Sequence, residues 1–258
     1  MITSVERYSS VSGRKRAGLL GGRLLRGLII AFILYLVVSR FLAATFRIES
    51  VSMEPGLSPA DRVIVSLLAY GPRVPFSQSR FPGLGDPSRG DVVVVRPPFY
   101  GDPGIAERLF EPVVSFFTVQ KGTLRRDLYN ARVNGYMVKR LVGMPGDTLR
   151  MNGYVVSIKP RGGTEFVGEQ QLLGGAYQVL AGASGGTNAG GPAAPGWDAS
   201  LPASGSTDEV HLADDQYYVL GDNRPDSSDS RSWGPIGRER IIGKVIYRYW
   251  PVRALGTP

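Results

Sequence analysis

The 258-residue sequence contains no cysteine, one histidine (His211) and five lysines (Lys15, Lys121, Lys139, Lys159 and Lys244). Without cysteine there is no disulfide framework, thiol nucleophile or thiolate metal site. A single histidine cannot build a multi-histidine metal centre, and any Ser-His-Asp hydrolase would have to use His211. The other basic residues are arginines, which stay charged and cannot serve as a base. Acidic charge is also in deficit: 30 Lys and Arg face 22 Asp and Glu, a net charge of +8. Hydrophobic residues make up 43% and charged residues 20%, a balance that supports a folded core and excludes wholesale disorder.

Long apolar runs are equally scarce, with one exception near the N-terminus. Gly27–Ser39 carries no charge, and Gly27–Phe46 is twenty residues interrupted only by Arg40. As a helix this stretch would reach about 30 Å, enough to span a hydrocarbon core. Arg7, Arg14, Lys15, Arg16, Arg23 and Arg26 precede it, against Glu6 alone. The positive-inside rule then predicts a cytoplasmic basic tail over 1–26, a transmembrane anchor over 27–46 and an extracytoplasmic body over 47–258. A cleaved leader is the competing reading, but the run lacks an A-x-A site and has Arg40 and Phe41 where small residues are wanted. The basic cluster abuts an apolar helix, so its predicted partner is the lipid bilayer and not nucleic acid.

Beyond the anchor the pattern is β. Asp91–Val95, Tyr136–Gly143, Gln216–Leu220 and Ile241–Trp250 are rich in branched and aromatic residues and bounded by Gly and Pro, the signature of strands. Leu149–Ile158 reads as a hairpin around Asn152-Gly153, and Met144–Asp147 as a turn. The predicted fold class is an all-β body preceded by one transmembrane helix. Two insertions are expected, at about 97–134 and 162–210. The first has helical periodicity at Gly104–Phe117. Within the second, 21 of the 26 residues of Ala181–Ser206 are Gly, Ala, Ser or Pro, a composition that buries little and reads as a loop.

Four short stretches could carry chemistry. Ser50 and Ser52 stand just past the anchor before a Pro-Gly turn, where most serines merely cap or meet solvent. Arg89-Gly90-Asp91 feeds the valine run. Lys139 shares a strand face with Met137 and Leu141. Desolvation there would favour its neutral amine, which can take a serine's proton; a snorkelling lysine at a sheet edge is the alternative. Gly221–Arg231 (GDNRPDSSDSR) packs acids, hydroxyls and turn formers behind an apolar strand.

Taken in order, SMEPGL at Ser52–Leu57, RGDVVVV at Arg89–Val95, KRLVGMPGD at Lys139–Asp147 and GDNRPDSSDSR at Gly221–Arg231 resemble the bacterial type I signal peptidases. These are membrane-anchored serine proteases with a Ser-Lys dyad. The resemblance covers most of residues 28–252. It implies that Ser52 is the nucleophile and Lys139 the general base. It further implies that Ser50 contributes to the oxyanion hole, that Ser227 orients the lysine amine, and that Asp229 and Arg231 form a supporting ion pair. It implies signal-peptide-bearing preproteins as substrates, cut after small residues at −1 and −3, with the export machinery as a further partner and no cofactor or metal. A Ser-Lys pair needs neither Cys nor His, which leaves His211 incidental. Gly56 stands where the family usually has Thr, Pro225 where it often has an acid, and Asp226 where it often has Asn. The rival readings are another Ser-Lys peptidase, or an inactive anchored β module that binds exported chains.

Overall fold

The computed structural model describes residues 22–72, 79–100, 135–175, 177–181 and 205–258. The residues of the basic tail before 22, most of the first insertion, the predicted helix at Gly104–Phe117 and residues 182–204 of the second insertion lie outside the described residues.

The described part is mainly β, as the sequence pattern predicts. Eleven strands form two antiparallel sheets. The larger holds β1 (Ala43–Arg47), β2 (Arg62–Ser66), β3 (Val92–Val95), β4 (Met137–Gly143), β9 (Gln216–Leu220), β10 (Ile236–Gly237) and β11 (Ile241–Trp250), in the order β1-β2-β11-β3-β4-β9-β10. The smaller holds β5 (Thr148–Asn152), β6 (Val155–Lys159), β7 (Val167–Gly168) and β8 (Thr207–His211), in the order β7-β6-β5-β8.

The valine run explains its own position. All four residues of β3 are buried, with Val92 and Val94 in one cluster beside Met53, Leu57 and Val65, and Val93 and Val95 in another beside Leu141, Val219 and Ile241. A strand covered on both faces has no polar side to alternate with, so it reads as a continuous apolar run. Each such side chain contributes about 1.5–3 kcal/mol by leaving water. A third cluster, with Val142, Leu220 and Tyr218 from the large sheet and Leu149, Val156 and Ile158 from the small one, joins the two sheets.

The structure alters several expectations. The N-terminal helix covers 22–37 and ends in one π turn, Val38–Leu42. The last four residues of the predicted anchor, Ala43–Phe46, are strand β1, paired in register with Val63–Ser66. Their alternation against a partner strand outweighs the apolar run. Among the described residues no helix is long and apolar enough to cross a membrane. The hairpin of β5 and β6 is present, but Asn152 is the last strand residue and pairs with Val155. The two turn residues are Gly153 and Tyr154, both with positive φ, +55° and +66°, as a two-residue turn matched to strand twist demands. Sequence pattern does not distinguish strands β1, β2, β7, β8 and β10; four of them, β1, β7, β8 and β10, are at sheet edges, where one row of partners is missing.

Candidate active site

Ser52 lies at the centre of a one-turn helix, Val51–Met53. The turn is rigid for local reasons. Met53 and Leu57 are buried in the core, Leu57 N–H donates to the Met53 carbonyl at 2.9 Å, and Asn223 N–H donates to the Ser52 carbonyl at 3.1 Å. The Asn223 side-chain amide also donates to the Val51 carbonyl at 3.3 Å. Core packing on one side and the Gly221–Arg231 loop on the other therefore fix where the Ser52 hydroxyl points.

Lys139 comes from the middle of β4, which runs between β3 and β9 in the sheet interior. It is not an edge lysine: it is 3% exposed and pairs with Val93 across the ladder. Its ammonium donates to Ser52 Oγ at 2.8 Å and to Ser227 Oγ at 3.1 Å. Burial pushes the lysine down to about 8 from its ordinary 10.5, Asp229 pulls it up and Arg231 pushes it down again. A lysine in this range offers a usable fraction of free amine near neutral pH. Ser50 Oγ lies 3.0 Å from Ser52 Oγ, so three serine hydroxyls and one amine form a connected line, Ser50–Ser52–Lys139–Ser227.

Asp229 and Arg231 support this line from behind. Arg231 donates to both carboxylate oxygens of Asp229, at 2.8 and 2.9 Å, and to the carbonyls of Arg224 and Ser227. Asp229 caps the one-turn helix Ser230–Trp233 and accepts from Gly221 N–H at 3.1 Å. Burial by itself would raise the Asp229 carboxyl, but Arg231, then Lys139 and Ser227, bring it below its ordinary value. Gly221 is required by space: a Cβ there would collide with Ser227 Oγ and the Ser52 carbonyl.

Sequence reasoning passed over a second set of buried charges. Arg140 makes a two-point ion pair with Asp222, at 2.8 and 2.7 Å, and stacks on the Tyr177 ring at 3.8 Å. Arg224 makes another with Glu169, at 2.6 and 2.7 Å, and Tyr177 donates to the same carboxylate. Burial pushes the Asp222 carboxyl up, with the Arg140 guanidinium pulling the other way. Arg140, Asp222 and Arg224 stand inside the quoted motifs, and charged residues abutting apolar strands were a signal that could have found them. Glu169 had no such mark. Gly56, where the family usually has Thr, is held by its carbonyl, which accepts from Arg248 at 2.9 Å; a Cβ there would lie 3.4 Å from the Asp222 carboxylate. Asp226 accepts from the Asn223 amide at 3.3 Å. His211 is exposed on β8 and bonds Thr148 at 3.1 Å, in the smaller sheet. Among the described residues no group of His, Cys, Asp or Glu is arranged to hold a metal ion.

The arrangement can transfer an acyl group: a hydroxyl nucleophile, an adjacent amine able to lose its proton, and donors beside them. Comparison with known proteins points the same way. The sequence model of the family described as "Signal peptidase, peptidase S26" matches residues 22–250. The chain is similar to "Probable signal peptidase I-2" of Synechocystis, 26% identical over 229 residues, covering 89% of this chain and 73% of that protein. It is 29% identical over 247 residues to "Signal peptidase I" of Pseudomonas aeruginosa, covering 84% and 68%. It is 24% identical over 229 residues to "Signal peptidase IB" of Staphylococcus aureus, covering 86% and 85%.

Proposed function

Because the chain belongs to the signal peptidase family, peptidase S26, we propose that it removes N-terminal signal peptides with Ser52 as nucleophile and Lys139 as general base. It is a serine endopeptidase, and its substrates are preproteins bearing signal peptides. The observation that carries the dyad is the 2.8 Å bond from the Lys139 amine to Ser52 Oγ, between two buried side chains.

In the acylation step neutral Lys139 takes the Ser52 hydroxyl proton as Ser52 Oγ bonds the scissile carbonyl carbon. The oxyanion is met by the Ser52 N–H and the Ser50 hydroxyl, each such donor worth roughly 3–4 kcal/mol in a comparable hydrolase. The lysine then passes its proton to the departing amine, the C–N bond breaks, and the signal peptide is left as an ester on Ser52. Water, losing its proton to Lys139, attacks that ester. Lys139 returns the proton to Ser52 Oγ as the ester C–O bond breaks, which releases the signal peptide as a carboxylate and restores the serine and the free amine. Ser227 keeps the amine aimed, and the Asp229–Arg231 pair keeps Ser227 in place.

An anchor formed by the N-terminal helix and its π turn, ending at Leu42, belongs to the same proposal, with the basic tail in the cytoplasm, the β body outside the cytoplasmic membrane and the export machinery a candidate partner. In support, Leu28, Ile29, Ile33, Leu34 and Val37 on the helix over 22–37 are all exposed large apolar side chains. Lipid would bury that surface. Ser52 follows Leu42 by ten residues, which would hold the nucleophile near the place where a signal peptide's apolar stretch ends.

The test is cleavage of a model preprotein by detergent-solubilised protein, with Ser52→Ala and Lys139→Met alongside. Cleavage after a small residue by the wild type alone is the expected result. Cleavage that survives Ser52→Ala would show that the nucleophile is elsewhere.

A further inference from the structure

Tyr154 breaks a local rule. It occupies the second position of the β5–β6 turn with φ +66°, a left-handed conformation that glycine and asparagine adopt readily and an aromatic residue rarely does. Such an exception persists only where its surroundings hold it. Tyr154 is held at three points. Its N–H donates to the Gly205 carbonyl at 2.7 Å. Its carbonyl accepts from Arg224 Nη1 at 3.4 Å. Its ring faces the Arg231 guanidinium, 5.8 Å from ring centroid to Cζ, within cation–π range. Gly205 lies close against the ring, where a Cβ would sit 3.1 Å from it. The tip of the smaller sheet thus reaches the catalytic loop of the larger one.

Arg231 is the residue through which such a contact would be felt. Its side chain is 1% exposed, and it holds Asp229 by two bonds and the Ser227 carbonyl by a third. Ser227 in turn accepts from Lys139. We propose that Tyr154 is a positioning residue of the catalytic centre, its ring capping Arg231 so that the guanidinium stays locked between Asp229 and the Ser227 carbonyl. Without the ring, Arg231 is free to swing from Asp229, which then turns its full negative charge on Lys139. The charged groups acting on Lys139 are Asp229, Arg231 and Asp222; those acting on Arg231 are Asp229, Tyr218 and Tyr154. Losing the Arg231–Asp229 pair acts on the lysine in one direction, towards the ammonium.

The proposal rests on Lys139 as general base, which an active Lys139→Met variant would overturn separately. The experiment is the pH–rate profile of preprotein cleavage by the full chain carrying Tyr154→Gly or Tyr154→Phe. Glycine suits the left-handed turn, so Tyr154→Gly deletes the ring while relieving the backbone. It is expected to slow cleavage at neutral pH by about fivefold, the weaker end of the range for a cation–π contact, and to move the rising limb of the profile to higher pH. Tyr154→Phe, which keeps the ring, restores the wild-type limb. A Tyr154→Gly profile that superimposes on the wild type, or a slower enzyme whose limb has not moved, overturns the proposal.

Discussion

Lys139 and Arg140 are neighbours on β4, directed to opposite faces of the sheet, and both are buried, at 3% and 5% exposure. On one face Lys139 meets hydroxyls, Ser52 and Ser227, and the carboxylate that acts on it most, Asp229, is already taken by Arg231. On the other face Arg140 meets a carboxylate of its own, Asp222, at two points, and a tyrosine ring. Burial is common to both, so burial alone does not decide what a cation does. A cation given a dedicated anion becomes structural. One given only hydroxyls is pushed towards its neutral form, the form a general base needs. The choice of Lys and Arg matches, because only the amine can lose a proton at these pH values.

The comparison breaks most visibly in stability. Arg140→Met leaves Asp222 buried without a partner and is expected to cost about 3–5 kcal/mol. That corresponds to a fall in melting temperature of roughly 6–20 °C for a chain of this size. Lys139→Met is expected to melt at or above the wild-type temperature, since it removes a desolvated ammonium that no carboxylate matches. Thermal unfolding of the two variants side by side checks both, and equal losses would erase the distinction between the faces.

Ser50→Ala sharpens the difference from the catalytic side. Its hydroxyl touches only the Ser52 side of the site, so its loss is expected to slow cleavage by about 10²–10³ while leaving the melting temperature within about 2 °C, the scale of a minor surface change. Single-turnover cleavage and thermal unfolding of one preparation measure the two quantities together.

The smallest effect is the pH response of the lysine itself. With Lys139 near 8, the cleavage rate is expected to rise about tenfold per pH unit below that value and to level off above it. Stability carries the same sign. Because the folded value lies below the unfolded 10.5, the unfolded chain binds more protons between about 8 and 10.5, so this residue's contribution to stability grows with pH across that window. Below about 8 both states are protonated and the contribution is flat. A rate profile without a limb near 8 would remove Lys139 from the chemistry.

Much of this was legible along the chain. The four strands with continuous apolar or aromatic runs, the hairpin and the Met144–Asp147 turn are local patterns, since side-chain alternation and turn residues act over a few positions. The helix stops short of Phe46 because a strand partner, Val63–Ser66, competes for those residues, and a partner seventeen or more residues away leaves no local trace. Ser52, Lys139 and the Gly221–Arg231 loop stood out singly as hydroxyls and a lysine in apolar company, and together as an ordered set.

The sequence by itself determined the exclusions and the chemistry on offer. No Cys and one His exclude thiol chemistry and multi-histidine metal centres and are compatible with the Ser-Lys pair that the resemblance implies, and a valine run demands cover on both faces. Only the tertiary structure decided which charges meet. Ser52 and Lys139 are 87 positions apart, Arg224 and Glu169 are 55 apart, and Tyr154 reaches Arg231 from the other sheet. Hydrogen bonds and ion pairs act over about 3 Å, and desolvation depends on everything packed around a group. Those quantities exist only once the sheets have closed on one another.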